Sequence, residues 1–360
     1  MIFDYLDGGA EDEVTLRRNL RGFLRYDLVP RVLRNVEHVE LGTTVLGSGI
    51  RFPIICAPTG ASRLFHHEGE TAMARAAHRA GTVYSLSSVS TRSIEEIAGL
   101  NDGPKWFQIY VWRDRAILKD FIARCRAAGY QALCLTVDVP AAGNRERDVR
   151  SGFSVPPRIG LRTIIDALRR PGWLWHFLTS PQINFSNVQG HAGAASGMVS
   201  VMEYISRQLD PSVTWEDAAW MIEEWKGPFA IKGILDARDA ERAVKIGATG
   251  IIVSNHGGRQ LDHAPAPIDV LPEIAAAVGG RADVILDGGV RRGTDVLKAL
   301  ALGAKACMIG RPYLYGLAAG GEAGVDRALE ILRMELERDM KLLGCRAVSE
   351  LDETCVRKRS

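Results

Sequence analysis

The chain has 360 residues, of which 46% are hydrophobic and 24% charged, so a large core is expected and global disorder is excluded. A formal net charge of +2 is too small to indicate a nucleic-acid partner. The six cysteines form no Cys-x-x-Cys pair and show no metal-ligand spacing, and we predict no metal site. Cys56, Cys134 and Cys307 lie in apolar runs, which predicts buried, reduced thiols and a reducing compartment. We find no signal-peptide pattern, and no apolar run reaches the length of a membrane span.

Eight apolar, strand-like runs recur along the chain, and helical spacing marks several of the segments between them. Eight strand-helix units is the number that closes a parallel barrel. A doubly wound sheet is the competing architecture, but polar residues follow nearly every run rather than one switch point. The predicted fold is therefore α/β, a (β/α)8 TIM barrel. The predicted strands are 53–57, 82–86, 105–109, 132–137, 229–231, 250–253, 283–286 and 306–309, and the predicted helices include 70–80, 115–128, 237–246, 294–302 and an outer helix over 325–343.

A long insertion interrupts this pattern after the fourth strand. About ninety residues separate Asp138 from Ile231, far more than a usual connection. We predict one domain over residues 1–360 with an insertion at about 150–210. Within it, residues 158–178 interleave arginines, tryptophans and aliphatic residues around a single acid, which is typical of a segment lying in a membrane interface. The alternative is an amphipathic helix that covers the barrel mouth as a lid.

The sixth predicted strand ends in the run 254–262, Ser-Asn-His-Gly-Gly-Arg-Gln-Leu-Asp. His256 supplies an imidazole, the side chain best suited to proton transfer near neutral pH. Arg259 supplies a guanidinium, which holds a carboxylate through two parallel hydrogen bonds. The two glycines between them permit a sharp turn or a close approach to a ligand. Together these residues indicate chemistry at the carbon next to a carboxylate.

Polar residues and glycines also follow the other predicted strands, where the active site of such a barrel lies. Each one alone is more often a local hydrogen-bonding residue or a turn, and only their shared position makes them candidates. They are Pro58, Thr59, Gly60, Ser87, Gln108, Tyr110, Thr136, Asp138, Lys232, Asp287, Gly288, Gly289, Arg291, Gly310 and Arg311.

The ends of the last two strands predict an anion site. They combine glycine backbone N–H groups with Arg291 and Arg311, and helix starts follow each of them. The chain has neither a Walker motif nor a Gly-x-Gly-x-x-Gly with a downstream acid, so a phosphorylated planar cofactor fits better than a nucleotide loop. Lys232 near such a ring would stabilise negative charge on it, although pairing with a carboxylate or Schiff-base chemistry are alternatives.

These motifs resemble the FMN-dependent α-hydroxy-acid oxidase and dehydrogenase family, which includes glycolate oxidase, L-lactate dehydrogenase and mandelate dehydrogenase. The likeness covers nearly the whole chain, and the run 254–262 is its most specific part. Family members usually carry a further helix before the first motif, which implies that this chain is truncated or numbered from an internal methionine. The motifs lie at 3–13, 57–60, 86–88, 107–110, 135–138, 144–148, 231–233, 254–262 and 287–293.

The resemblance implies a role for each matching residue. His256 is the base that acts on the substrate, and Asp138 orients the imidazole and stabilises its charged form. Arg259 and Arg145 hold the substrate carboxylate. Tyr5 supports that carboxylate, Tyr110 contacts the reacting oxygen, and Val89 shapes the substrate pocket. FMN is the implied cofactor, bound by Pro58, Thr59, Gly60, Ser87, Gln108, Thr136, Lys232, Ser254, Asp287, Gly288, Gly289, Arg291, Gly310 and Arg311.

The implied reaction oxidises an (S)-2-hydroxy acid to the 2-oxo acid, with hydride and carbanion routes both open. Gly60 replaces an alanine typical of the oxidases and favours a dehydrogenase. Val89 replaces a large aromatic residue of glycolate oxidases and favours a larger substrate, L-lactate first and (S)-mandelate second. In membrane-bound relatives the long insertion attaches to the membrane.

Attachment would place this chain peripherally on the cytoplasmic face of the inner membrane, with a quinone or similar membrane electron acceptor. Otherwise we expect a cytoplasmic protein. A homotetramer is expected from the resemblance alone. The competing functions are a soluble oxidase that makes hydrogen peroxide and a non-catalytic FMN-binding barrel.

Overall fold

A computed structural model describes residues 1–153, 160–188 and 208–359. The chain begins with two helices, α1 (Ile2–Asp7) and α2 (Val14–Gly22), followed by strand β1 (Tyr26–Leu28), which pairs with the C-terminal strand Val356–Lys358. A small hairpin follows, formed by β2 (Thr43–Val45) and β3 (Ser48–Ile50).

Eight parallel strands then close a barrel, so the predicted TIM barrel is confirmed and the doubly wound sheet is excluded. Each predicted strand coincides with an observed one within a few residues. The strands are β4 (Ile54–Thr59), β5 (Tyr84–Ser87), β6 (Lys105–Tyr110), β7 (Ala132–Thr136), β8 (Phe229–Ile234), β9 (Gly250–Ser254), β10 (Asp283–Asp287) and β11 (Ala306–Ile309).

Both faces of the barrel strands are buried, which explains their nearly continuous apolar sequences. Trp106, Ala230 and Ile252 belong to a core cluster that also includes residues of the small hairpin, whereas their neighbours in sequence belong to the cluster that includes the helices. The hairpin packs against the strand starts, where Leu46 N–H donates to the Asp283 carboxylate at 2.8 Å. Trp106, Ala230 and Ile252 thus face into the barrel near the starts of the strands. Because side chains alternate between the two faces of a strand, the residue two positions after each of them also faces into the barrel, but near its carboxyl end.

The helices surround the barrel and agree with the predicted helical segments. The outer helix predicted over 325–343 is the second part of a longer helix, which kinks where Gly320 and Gly321 leave helical geometry. The helices are α3 (Glu70–Ala80), α4 (Ile94–Ala98), α5 (Arg115–Ala127), α6 (Glu146–Arg150), α7 (Leu161–Leu168), α8 (Pro171–Thr179), α9 (Trp215–Trp225), α10 (Ala237–Lys245), α11 (Pro267–Val278), α12 (Gly293–Ala301) and α13 (Arg311–Leu343).

The N-terminal helices are bound to residues at the carboxyl end of the barrel. The Asp262 carboxylate accepts the N–H groups of Val14 and Thr15 at 3.1 and 2.7 Å, at the start of α2. Arg147 bridges Asp7 and Glu13, with nitrogen–oxygen distances of 2.8 and 2.5 Å. Tyr5, on α1, is thereby placed over the barrel mouth.

The described part of the insertion contains α7 and α8, which we call the interface hairpin (residues 160–180). Residues 158 and 159 of the predicted membrane-interface segment, and residues 189–207 of the insertion, lie outside the described residues. Large apolar side chains of the hairpin are exposed, among them Leu168, Trp175 and Leu178. No helix among the described residues is long and apolar enough to cross a membrane.

All six cysteines are buried and free of disulfide bonds, as predicted for Cys56, Cys134 and Cys307. Burial raises the pKa of the Cys56 and Cys134 thiols to about 12. These thiols are therefore protonated near neutral pH and unreactive.

Candidate active site

The residues predicted at the strand ends converge on one cavity at the carboxyl end of the barrel. Ser87, Gln108, Thr136, Asp138 and Ser254 are the predicted residues that do not line its wall, and they lie behind it in contact with each other or with the lining. The predicted residues that line the cavity are Tyr5, Pro58, Thr59, Gly60, Val89, Tyr110, Arg145, Lys232, His256, Arg259, Asp287, Gly288, Gly289, Arg291, Gly310 and Arg311.

His256 is held between a carboxylate and a phenol. Its Nδ1 lies 3.0 Å from Asp138 Oδ1, and its Nε2 lies 3.4 Å from the Tyr110 hydroxyl. Burial alone would raise the pKa of the Asp138 carboxyl, but His256 and Lys232 hold it below its ordinary value. The carboxylate is therefore charged and fixes the tautomer in which Nε2 is free to accept a proton from the cavity.

The backbone around His256 is in the left-handed region, with φ of 60° at His256, 65° at Gly257 and 75° at Gly258. A side chain on Gly258 would lie 2.7 Å from the backbone nitrogen of Leu16, so only glycine fits there. The predicted sharp turn is confirmed. A non-glycine residue held at positive φ is costly, and the cost is consistent with a site that must aim the imidazole into the cavity.

Two arginines face the same part of the cavity around the Tyr5 ring. The Arg259 guanidinium carbon lies 4.9 Å from the ring centroid and that of Arg145 lies 5.6 Å from it. Burial and the neighbouring Arg145 lower the pKa of Arg259. Arg259 donates to the carbonyl oxygens of Tyr5 and Gly8, while Arg145 pairs with Asp148 at 3.1 Å. This arrangement leaves positive charge that an anion entering the cavity would neutralise.

Lys232 lies at the floor of the cavity in a buried ionic network. Its ammonium group is 2.7 Å from Asp287 Oδ2 and donates to Ser254 Oγ at 2.8 Å, and Ser254 donates to the same carboxylate at 2.7 Å. Burial opposes the charge, but Asp287 and Asp138 hold the pKa of Lys232 above its ordinary value. A charged amine cannot attack a carbonyl, which argues against the Schiff-base alternative.

The predicted anion site lies at the ends of β10 and β11. Burial, together with Arg259 and Arg291, lowers the pKa of Arg311 to about 10. Burial also lowers the pKa of Arg291. Arg311 donates to the carbonyl oxygens of Gly8 and Gly257 at 2.8 and 2.9 Å, and a Cβ built on Gly310 would meet no atom within 4 Å. Like charges crowded beside open space are what a phosphate group would relieve.

Two buried polar atoms test whether the site fits a flavin. Among the described residues, neither the Gln108 side-chain nitrogen nor the Thr136 hydroxyl has a hydrogen-bond partner. Ser87 fixes the Gln108 amide by donating to its oxygen at 2.7 Å, which leaves the nitrogen as the free donor. An unpaired buried polar group is costly, and a ligand whose polar edge reached these two atoms would relieve that cost. The flavin ring of FMN has such an edge and supplies the two-electron acceptor for an oxidation.

Sequence reasoning missed the aromatic residues around Tyr5. The Phe153 ring stacks on Tyr5 with centroids 4.3 Å apart, and Phe65 stacks with it at 6.2 Å. Phe65 also lines the cavity, as do Leu6 and Met308. All of these residue types are indistinguishable from core residues in a sequence. The signal that could have found Phe65 is its position only six residues beyond β4.

Comparisons with known proteins agree with this geometry. The sequence profile of the FMN-dependent dehydrogenase family matches residues 1–358. An L-lactate oxidase from Nostoc sp. is 46% identical over 98% of this chain and 92% of its own length. Human 2-hydroxyacid oxidase 1 is 45% identical over 99% of this chain and 92% of its own length. The crystal structure of a monotopic membrane protein, (S)-mandelate dehydrogenase, superposes with a TM-score of 0.95 at 38% identity, covering 99% of this chain and 95% of that one. The chain therefore belongs to the family of FMN-dependent enzymes that oxidise 2-hydroxy acids.

Proposed function

We propose that this enzyme oxidises an (S)-2-hydroxy acid to the 2-oxo acid and passes the electrons to a membrane quinone. The observation that carries the proposal is His256, which lies between Asp138 and Tyr110 and lines the same cavity as Arg145 and Arg259. A base beside a pair of guanidinium groups suits a substrate whose reacting carbon carries a carboxylate.

In this proposal, His256 accepts the proton that the substrate loses, and Asp138 stabilises the imidazolium that forms. Tyr110 donates to the reacting oxygen. Burial keeps the pKa of Tyr110 above its ordinary value, so its hydroxyl remains a donor. Lys232 lines the cavity that would hold the flavin, and its positive charge would stabilise negative charge on the ring. These roles hold for hydride and carbanion routes alike.

The substrate carboxylate is bound by Arg259 and Arg145, with Tyr5 beside it. Both guanidinium groups lie against the Tyr5 ring, which restricts their orientation. The remaining cavity residues, together with the buried Gln108 and Thr136, would hold the flavin. Arg291 and Arg311 would hold its phosphate, since burial lowers the pKa of both guanidinium groups and a bound anion would stabilise their charge.

L-lactate is our first choice of substrate and (S)-mandelate the second. Val89 and Gly60 line the cavity together, and a Cβ on Gly60 would lie 2.7 Å from Val89 Cγ2. The absent methyl group therefore allows Val89 to pack close to β4. Valine at this position leaves space for a substrate side chain larger than that of glycolate.

The interface hairpin supports the proposal of a membrane electron acceptor. Its exposed apolar residues, with Trp175 67% and Leu178 71% exposed, are suited to the membrane interface rather than to water. We therefore place the enzyme peripherally on the cytoplasmic face of the inner membrane, as a single domain over residues 1–360. The monotopic character of one structural neighbour supports this placement, and a homotetramer remains part of the proposal.

Anaerobic mixing of the FMN-loaded enzyme with a panel of 2-hydroxy acids tests the reaction and the substrate together. We expect the flavin absorbance to bleach fastest with L-lactate and next with (S)-mandelate, and not with the (R) enantiomers. A flavin that no 2-hydroxy acid bleaches would refute the enzymatic proposal and favour a non-catalytic FMN-binding barrel.

A soluble oxidase is the second candidate, favoured by relatives that are named L-lactate oxidase and 2-hydroxyacid oxidase. The two functions differ in how the reduced enzyme reacts with oxygen. We expect hydrogen peroxide to form much more slowly than an artificial dye is reduced. Equal rates would identify an oxidase and would remove Gly60 as a marker of a dehydrogenase.

A further inference from the structure

A second cavity, of about 400 Å³, lies between the interface hairpin and the loop that follows β4. Trp173, His176, Phe177 and Leu178 contribute from α8, and Arg63 and His67 contribute from the loop. We propose that this cavity binds the head group of a quinone-type electron acceptor. The inference rests on the proposed function, and it locates the acceptor in the molecule.

The walls of this acceptor cavity suit a planar, apolar ring. Trp173 and Phe177 stack with centroids 4.9 Å apart and an interplanar angle of 18°. A quinone ring can pack against such faces in the same offset manner. The volume is within the range that small-molecule sites occupy.

Two imidazoles supply hydrogen-bond donors for the quinone oxygens. The His67 and His176 rings are parallel, 3.9 Å between centroids and 11° between planes. Burial and the neighbouring His176 lower the pKa of His67, which keeps its ring neutral near pH 7. A neutral imidazole still carries one N–H donor, and His67 Nδ1 has no hydrogen-bond partner among the described residues.

Arg63 lies in the wall of the cavity, but its hydrogen bonds to the protein make it poorly suited to binding an anionic ligand. Its guanidinium donates to three backbone carbonyl oxygens, those of Pro181 at 2.6 Å, His67 at 3.2 Å and Gln182 at 3.3 Å. These bonds use its donors to hold the loop and the hairpin together. Trp173 adds a bond from its indole nitrogen to the Leu64 carbonyl oxygen at 3.2 Å. These hydrogen bonds fix the walls of the cavity. Arg63 therefore stabilises the contact between the loop and the hairpin rather than binding a lipid phosphate.

The position of the cavity connects the membrane to the active site. Phe177 and Leu178 line it and are 45% and 71% exposed, so it adjoins the apolar surface from which a lipid-soluble molecule would enter. On the other side, the loop from Gly60 to His67 contributes to both cavities, with Gly60 and Phe65 in the active site. This loop would thus separate a bound quinone from the cavity that would hold the flavin. Its reduction to the quinol takes two electrons and two protons, which FMNH2 releases as it returns to FMN.

Binding is measured without turnover, by titrating the oxidised, FMN-loaded enzyme with a short-chain ubiquinone analogue and following the quenching of tryptophan fluorescence. We expect His176→Leu and Phe177→Ala each to weaken binding about five- to tenfold, the loss expected for one hydrogen bond or one ring contact. Trp175→Ala is the matched control, since Trp175 lies on the same helix, is 67% exposed and does not line the cavity. Its quinone affinity should equal that of the unmodified enzyme.

All three variants should still bleach anaerobically with the 2-hydroxy acid and reduce a dye at the unmodified rate. Unchanged quinone affinity in both cavity variants, with bleaching intact, would overturn the cavity assignment and leave the proposed function standing. An absence of bleaching in the unmodified enzyme would instead refute the proposed function. Equal weakening by Trp175→Ala would show partition into the apolar surface of the hairpin and would also overturn the assignment.

Discussion

Replacing Asp138 by asparagine isolates the contribution of one negative charge to catalysis. The carboxylate lies 3.0 Å from His256 Nδ1 and is buried, so its charge is screened less than a surface charge would be. With an effective dielectric constant of about 20, the attraction to an imidazolium at that distance is about 5 kcal/mol. Asparagine can still accept the hydrogen bond, so we expect the loss to be about 3–4 kcal/mol. The rate of flavin reduction should therefore fall about a hundred- to a thousandfold.

Anaerobic stopped-flow measurement of flavin bleaching gives this rate directly. Asp236→Asn is the control, because Asp236 is also a carboxylate just beyond a barrel strand, but its side chain is 45% exposed and caps α10 by accepting from Arg238 N–H. Its rate should be unchanged. FMN binding should survive in both variants. Bleaching by Asp138→Asn at the unmodified rate would refute the view that an imidazolium forms in the rate-limiting step.

The contribution of Asp138 to the stability of the folded protein depends on pH, and the direction of its pKa shift gives the sign. The pKa of Asp138 is lowered on folding, so its contribution to stability is complete above the ordinary value of 3.8 and is lost as the pH falls through the lower folded value. The carboxylate thus remains charged throughout the neutral range. The free energies of unfolding of the unmodified enzyme and of Asp138→Asn should therefore differ by a constant amount across the neutral range, and the difference should shrink only as the pH falls below 3.8.

Three further predictions concern neighbouring parts of the molecule. Gly60→Ala should raise KM, because the added methyl group would collide with Val89 and overpacking costs about 1–3 kcal/mol. Adding Val89→Ala to Gly60→Ala should restore the KM of the unmodified enzyme. If the two substitutions instead change KM additively, the predicted contact between these residues is refuted. Leu168→Ser with Trp175→Ser should abolish co-sedimentation with anionic lipid vesicles while bleaching persists; retained sedimentation would favour the lid. Borohydride with the 2-oxo acid should leave Lys232 unmodified in mass spectra at pH 7, because its raised pKa keeps it charged until the pH exceeds its ordinary value of 10.5; a reduced adduct would restore the Schiff-base alternative.

The barrel could be predicted because its strands carry a local signal. Both faces of each strand are buried, so each reads as an apolar run, and the end of the run marks where the site begins. Lys232 and Ser254 each lie two residues beyond an inward-facing residue, Ala230 and Ile252, and therefore point into the barrel. The strands β8 and β9 are neighbours, and the Lys232 ammonium group donates to Ser254 Oγ at 2.8 Å across them.

Contacts between distant parts of the chain had no such signal. The stacking of Phe153 on Tyr5 joins the insertion to α1, and no spacing in the sequence relates the two. The insertion itself was predicted as one segment, whereas two helices form because Pro171 begins α8 at its first turn. The Pro-Gly pair at 171–172 was the available signal, since proline favours the first turn of a helix and disfavours its interior. The prediction used the composition of residues 158–178 as a whole, which does not reveal a break between two helices.

The four arginines of the site concentrate positive charge that two bound anions would neutralise. Arg145, Arg259, Arg291 and Arg311 line one cavity, and those with lowered pKa values are the most buried. A net charge of +2 for the whole chain conceals this local concentration. Gathering like charges in a buried place costs stability, and the cost is recovered only when a ligand neutralises them. A phosphate at Arg291 and Arg311, and a carboxylate at Arg145 and Arg259, would each remove part of that repulsion. Because the four guanidinium groups contribute to one positive potential, an anion bound at either pair reduces the attraction that the other pair exerts, so electrostatics alone makes the second anion bind more weakly.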